Sequence, residues 1–498
     1  MNVNPITRLD YPDPDVIRVE DTYYMVSTTM HFMPGCEILQ SFDLVHWEHV
    51  TYVYETLDHT DAQQLKGGQN IYGQGMWAAS LRYHEGRFCI CFVANDTRKT
   101  YLYTSEKIDG PWKKQLIEGF YHDGSLLFDE DGRNYIVYGN DEIWITELNE
   151  DLTAPKKDGL HRLLVSDHKN PELGYEGSHI QKINGYYYIF LVHSLRDRWM
   201  RTEACFYSDS LEGEFTGGDV LCDDRGYCGQ GVAQGGIVDT PDGKWYAMLF
   251  QDSGAVGRIP ILLPVTWKDH FPFFGQNGHV PEEIEVHSTR PGYIYQPLVG
   301  SDDFCNGLLP RWQFNHDPDP RYYHLDALQG TYTITTREVC TELTQAVNTL
   351  TQRMSYPSCA AEVTVDASAL KEGDVAGLCA LQSCYAAVGI TKHHGKYEVL
   401  MLDKKEDGIL DMTEGTVVES HQMDFRLEAD FCNMKDEARC YYRVNKGDWL
   451  PIGTVHKLYF KLDHFTGCRF GLFCYAAEET GGSACFRDFK YYDVDEIS

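Results

Sequence analysis

The first half of the chain repeats one short phrase five times, and that repetition limits the fold to very few architectures. Each copy has a polar or glycine-bearing head, a few alternating apolar residues, a tight turn and an aromatic-rich run. The first two copies are Tyr11-Pro12-Asp13-Pro14-Asp15-Val16-Ile17, turning at Glu20-Asp21, and Trp77-Ala78-Ala79-Ser80-Leu81, turning at Glu85-Gly86. The third is His122-Asp123-Gly124-Ser125-Leu126, turning at Asp131-Gly132, and the fourth is Tyr175-Glu176-Gly177-Ser178-His179, turning at Asn184-Gly185. The fifth is Gln234-Gly235-Gly236-Ile237-Val238, turning at Asp242-Gly243. Copies roughly 45 to 65 residues apart fit the blades of a five-bladed β-propeller. The runs that follow, such as Phe88-Cys89-Ile90-Cys91-Phe92 and Tyr186-Tyr187-Tyr188-Ile189-Phe190, read as strands buried on both faces.

A propeller carries its own functional consequence. The innermost strand of every blade lines the central channel, so equivalent positions of distant segments converge on one axis. Three heads hold a carboxylate, Asp13, Asp123 and Glu176, and the repeat aligns all three at one strand position. Each stands beside a Gly or Pro that lets backbone sit close to a ligand. An isolated Asp-Pro reads as a turn; one in a blade head reads as part of a site built by symmetry.

The texture changes at Ser301-Asp302-Asp303-Phe304. From there short alternating segments, among them Gly330-Thr331-Tyr332-Thr333-Ile334, Cys359-Ala360-Ala361-Glu362-Val363-Thr364-Val365 and Lys457-Leu458-Tyr459-Phe460-Lys461-Leu462, predict strands of a β-sandwich. The chain is thus expected to be all-β, with a propeller over residues 1–300 and a sandwich over residues 301–498. A formal net charge of −32 excludes nucleic acid and anionic membrane as partners, because no basic stripe exists to neutralise phosphates. Residues Met1 to Asp10 have no signal-like pattern and no later run is long enough to span a bilayer, which predicts a cytoplasmic protein. The sixteen scattered cysteines fit reduced, mostly buried thiols, and neither Cys89-Ile90-Cys91 nor Cys379 with Cys384 has the second half a zinc site needs.

The opening Asn4-Pro5-Ile6 through Tyr11-Pro12-Asp13-Pro14, then Tyr23-Tyr24-Met25-Val26-Ser27 and Ser41-Phe42-Asp43-Leu44-Val45-His46-Trp47, resembles glycoside hydrolase family 43. Further blocks in family order are Gly75-Met76-Trp77-Ala78, Tyr175-Glu176-Gly177-Ser178-His179, and Gly257-Arg258 before Pro264-Val265-Thr266-Trp267. Leu309-Pro310-Arg311-Trp312 and Ala376-Gly377-Leu378-Cys379 resemble the β-sandwich of its xylosidase and arabinofuranosidase members. The resemblance implies an inverting hydrolase of neutral pentose-containing oligosaccharides. It places Asp13 as general base, Glu176 as general acid, and Asp123 as the carboxylate that orients the acid and raises its pKa. It further suggests Trp77 and Phe32 as sugar-facing rings and Arg290 as a sugar-contacting arginine. Gln234 stands where many members have a His facing a central calcium or water. No cofactor is required on this reading, and a structural calcium would have to use the Gln carbonyl instead.

The run Gly67-Gly68-Gln69-Asn70-Ile71-Tyr72-Gly73-Gln74-Gly75-Met76-Trp77 and the lack of a Trp beside Phe32 resemble the arabinofuranosidase branch of the family, which implies release of α-L-arabinofuranose from arabinoxylan-derived oligosaccharides rather than β-D-xylose. Two other classes stay open: a silent sugar-binding propeller, and a retaining fructoside-type enzyme, whose usual Trp-Met-Asn-Asp-Pro opening is missing. Oligomeric state leaves no trace in the sequence.

Overall fold

The computed structural model describes residues 2–413, 415–461, 464 and 466–493; apart from a few three-residue 3-10 turns, its regular elements are strands. Five antiparallel four-stranded sheets follow one another, each built from strands successive along the chain except that the first passes over the short strand Phe32–Met33. Their innermost strands are Asp15–Val19, Met76–His84, Ser125–Phe128, Glu176–Ile183 and Val232–Asp239. The aromatic runs form the second strands, where Tyr23, Phe92, Tyr135, Phe190 and Phe250 are wholly buried between blades. Trp47 and Phe215, just before the outermost strands of blades 1 and 4, are buried as well.

The blade heads share one backbone device. Asp13, Ala78, Asp123, Gly177 and Gln234 all take the left-handed region, with φ of 51°, 31°, 48°, 66° and 65°. The ladder slips at this point in blades 2, 4 and 5, between Trp77 and Ser80, Glu176 and His179, and Ala233 and Gly236. Such bulges bend a strand and re-aim its side chains. They also correct the expected alignment of the acids. Asp13 and Asp123 occupy the left-handed position, whereas Glu176 stands one residue earlier, in register with Trp77 and His122. In blade 4 the left-handed position belongs to Gly177, where a Cβ would lie 2.7 Å from Gln234 Cγ. A side chain cannot be placed there, so the acid sits one residue before it.

Two residues after the left-handed position, a side-chain oxygen fastens each of the first three blades to the next. Asp15 accepts from Leu81 N–H at 2.7 Å, Ser80 from Leu126 N–H at 3.1 Å, and Ser125 from Ile180 N–H at 3.0 Å. His179 in the fourth blade returns to Asp15 at 3.1 Å. Blades 5 and 1 are joined by the N-terminal segment: Asn2–Val3 pairs with Glu283–Ile284, and Tyr11 N–H donates to the Arg258 carbonyl at 2.9 Å.

The second region packs a nine-stranded sheet on a seven-stranded one around a core that includes Phe314, Leu350, Leu378, Phe425, Phe470 and Phe486. One strand of the larger sheet comes from the propeller: Phe32–Met33 pairs with Gln313–Asn315. The strand expected over 457–462 lies earlier, as Leu450–Lys457, and Leu462 falls outside the described residues. Among the described residues no two cysteines form a disulfide.

Candidate active site

At the head of blade 1 the Asp13 carboxylate is buried and engaged on both oxygens. The Thr28 hydroxyl donates to Oδ2 at 2.6 Å and Arg258 Nη1 donates to Oδ1 at 2.8 Å. Arg258 opens the strand Arg258–Lys268 of blade 5, and its Nε donates to Asp252 Oδ1 at 3.2 Å. Asp252 also pairs with Arg201 of blade 4. Burial pulls the Arg201 guanidinium down to about 9, against the neighbouring charges of Glu176 and Asp13. A chain of alternating charges, Arg201, Asp252, Arg258 and Asp13, therefore runs around one side of the channel mouth.

Blades 3 and 4 build the opposite side. The Asp123 carboxylate is buried and accepts from Gly177 N–H at 3.0 Å. Glu176 is more open, with a fifth of its side chain exposed, and its Oε2 accepts from Asn140 Nδ2 at 2.8 Å. His122 Nε2 stands 3.6 Å from both Asp123 Oδ2 and Glu176 Oε2. The Asp123 charge, with help from Glu176, raises the imidazole to about 9 against the effect of burial. Burial and the Glu176 charge push Asp123 up to about 6, although His122 opposes them. For Glu176 burial also acts upward, but the His122 imidazolium and the charges of Arg201 and Arg258 outweigh it and hold the carboxyl low. Burial thus favours a proton on Asp123, whereas the neighbouring cations favour the charged form of Glu176.

Below the acids, a cavity of about 10 Å³ is lined by Asp13, Ser80, Asp123, Ser178, His179 and Gln234 among others, room for about one water. Gln234 N–H donates to Glu203 Oε2 at 2.7 Å, and burial pushes that carboxyl well above its ordinary value.

Of the expected sugar-facing residues, Trp77 is half-buried with its ring edge-on to His122 at 6.1 Å. Phe32 is wholly buried at the seam with the sandwich, capped by the Arg469 guanidinium 3.5 Å from its ring centre. Arg290 lies elsewhere: its Nε and Nη2 donate to Asp21 at 2.8 and 3.1 Å, and it stacks 4.1 Å over Phe42. Asp21 follows the far end of the strand whose near end follows Asp13, so Arg290 belongs to the other face of the propeller. The arginine held by Asp13 is Arg258. Its signal was present as a lone charge opening the apolar run Ile259-Pro260-Ile261-Leu262-Leu263. His122, Asn140 and Arg201 were also missed, as was Trp199, an exposed ring 5.3 Å from the Arg201 guanidinium.

Two acidic centres at the axis of a propeller, one ion-paired with an arginine and the other a carboxyl pair beside a histidine, suit the two-carboxyl chemistry of a glycosidase. Residues 3–272 match the glycosyl hydrolases family 43, and residues 301–492 match the β-xylosidase C-terminal concanavalin A-like domain. The chain belongs to glycoside hydrolase family 43. A structure described as a bifunctional GH43-CE from Bacteroides eggerthii superposes with a TM-score of 0.92 and 42% identity, covering 99% of this chain and 64% of that longer one. A β-xylosidase from Formosa agariphila is 26% identical, over 99% of this chain and 89% of its own length. A non-reducing-end α-L-arabinofuranosidase from Bacteroides ovatus is 24% identical, over 82% and 79% of the two chains.

Proposed function

We propose that the protein is an inverting exo-glycosidase that releases α-L-arabinofuranose from arabinoxylan-derived oligosaccharides. One observation carries this reading: Asp13, fixed by Arg258 and Thr28, shares a channel mouth with the Asp123, Glu176 and His122 group of blades 3 and 4. Inversion needs a base that activates water on one face of the sugar and an acid that protonates the leaving oxygen on the other. Asp13 is the base, its carboxylate held at the channel mouth by Arg258 and Thr28. Glu176, more exposed and within reach of the shared proton, is the acid. Trp199, on the same blade as Glu176, offers an exposed ring on the leaving-group side. The β-xylosidase reading is the alternative, supported by the name of the Formosa relative. Hydrolysis of an aryl α-L-arabinofuranoside measured against an aryl β-D-xyloside decides between them: arabinofuranoside turnover at least tenfold faster is expected, and the reverse ratio replaces this reading.

The reaction routes no step through a metal. On this reading the carboxyls of Asp13 and Glu176 supply both proton transfers.

The proton on the Asp123 and Glu176 pair gives a pH prediction. The pair must carry one proton for Glu176 to act as acid, and Asp123 holds it up to about pH 6. Free-enzyme kcat/KM is therefore expected to fall on the alkaline side with an apparent pKa near 6 that belongs to the pair. Removing the imidazolium removes what favours the charged carboxylates, so His122→Asn shifts this limb to higher pH. A limb that stays put or moves down would contradict the arrangement.

A further inference from the structure

Far from the channel, three ligand-bearing side chains meet at an edge of the sandwich. Strands Ala386–His393 and Lys396–Lys404 form a hairpin turning at His394-Gly395, with His393 opposite Lys396. Successive residues of a strand ordinarily point to opposite faces. His394 instead takes φ 49°, and this left-handed turn swings its ring beside that of His393, with ring centres 4.0 Å apart. The third side chain comes from the loop before strand Val375–Leu381, which pairs with Ala386–His393. A bond from Gly373 N–H to the Lys392 carbonyl at 2.9 Å prolongs that ladder and brings Glu372 level with the turn. There Gly395 N–H donates to Glu372 Oε2 at 3.3 Å, while Oε1 is buried with no hydrogen-bond partner among the described residues.

A buried carboxylate oxygen without a protein partner is costly, and a water or a bound ion accounts for it. The adjacent lysines are committed elsewhere, Lys371 to Glu479 at 2.7 Å and Lys392 to the Leu370 carbonyl at 3.4 Å. One donor atom each from Glu372, His393 and His394 lies within 4.8 Å of the other two. Ligands around tetrahedral zinc stand about 3.3 Å apart, given bonds of about 2.0–2.2 Å. Both imidazoles are exposed and can turn to close the difference. The geometry points to a zinc site formed by Glu372, His393 and His394, with water in the fourth position. Two imidazoles with one carboxylate suit zinc and its first-row neighbours, whereas calcium and magnesium take oxygen ligands. The metal clips the 371–374 loop to the hairpin turn, so it binds the folded sandwich and stabilises it by mass action. Within the larger sheet the hairpin begins five strands from the propeller strand Phe32–Met33, about 24 Å at the usual strand spacing. The site is therefore separate from catalysis.

Calorimetric titration of zinc chloride into the metal-free full chain tests this. One zinc per chain is expected, with binding weakened about tenfold or more in His393→Ala, His394→Ala and Glu372→Gln. Hydrolytic activity of all three variants stays at the parent level. A second trio, His122, Asp123 and Glu176, has the same ligand spacing. Zinc binding that survives these three substitutions but disappears in His122→Ala overturns the proposal. Binding of cobalt(II) with a thiolate charge-transfer band also overturns it, because that assigns the metal to exposed cysteines such as Cys222 or Cys228. Failure to hydrolyse any aryl pentoside would count against the proposed activity and leave this site standing.

Discussion

Asp13→Ala is expected to lower kcat/KM on any cleavable pentoside by about 10²–10⁴-fold, the usual contribution of a positioned acid or base. The loss should be the same for good and poor leaving groups, because Asp13 acts on the attacking water and not on the departing oxygen. Glu176→Gln gives the contrasting pattern. An acid matters most when the leaving oxygen is basic, so its loss should be severe on an oligosaccharide and shrink on a dinitrophenyl pentoside whose leaving group needs no proton. Gln keeps the size of Glu176 and can still meet Asn140, so the effect reads chemistry and not collapse. Asp13→Asn makes the matching control beside Arg258. Steady-state rates across a series of aryl leaving groups, with NMR of the first-formed anomer, check both halves. Asp13 variants retaining activity within tenfold of the parent would remove it as the base, and a retained anomeric configuration would remove inversion itself.

The propeller was legible because its signal is periodic. A head, a turn and an aromatic run recurring five times leave little choice of fold, and wholly buried Tyr23, Phe92, Tyr135, Phe190 and Phe250 are the physical content of those runs. Register was not legible at the same level. Matching residue types put Glu176 level with Asp13, but the backbone matches Gly177 to Asp13, since φ and the crowding by Gln234 decide which residue turns. Arg290 fitted a motif, yet which end of a strand a later loop reaches is a tertiary fact that local sequence does not carry. Arg258 was visible as a charge before an apolar run, and its partner was not. The two-residue strand Phe32–Met33 is too short to show any periodicity, and its pairing partner lies some 280 residues further along the chain. The seam between the domains was thus the part of the site hidden from sequence.

That seam leads to the second large effect. Arg353, from the sandwich strand Leu350–Arg353, is buried in the propeller's first blade. Its Nη1 lies 2.9 Å from Glu37 Oε2, its Nε donates to the Asp10 carbonyl at 2.8 Å, and its guanidinium stacks 4.1 Å from the Tyr11 ring. Asp10 is itself a bridge: its carboxyl, whose pKa burial raises, accepts from Arg258 N–H at 2.7 Å and from the sandwich residue Gly467 N–H at 2.8 Å. The base, its arginine partner and the sandwich are thereby braced through residues 10–13. Arg353→Met keeps most of the side-chain volume but takes the guanidinium from the buried Glu37 carboxylate and leaves it to His49 Nδ1, 3.0 Å from Oε1, and removing one member of such a buried pair costs about 3–5 kcal/mol. Urea denaturation should show that loss as a lower midpoint. Adding Glu37→Gln to Arg353→Met removes that charge and should recover a large part of the loss, a non-additivity that a general packing defect does not produce. In the folded fraction of Arg353→Met, kcat should fall more than KM changes, because what loosens is the support of Arg258 against Asp13 and not the sugar pocket. A single variant within about 1 kcal/mol of the parent, or a double variant less stable than the single, would mean that Glu37 does not depend on Arg353 and that the sandwich does not brace the base.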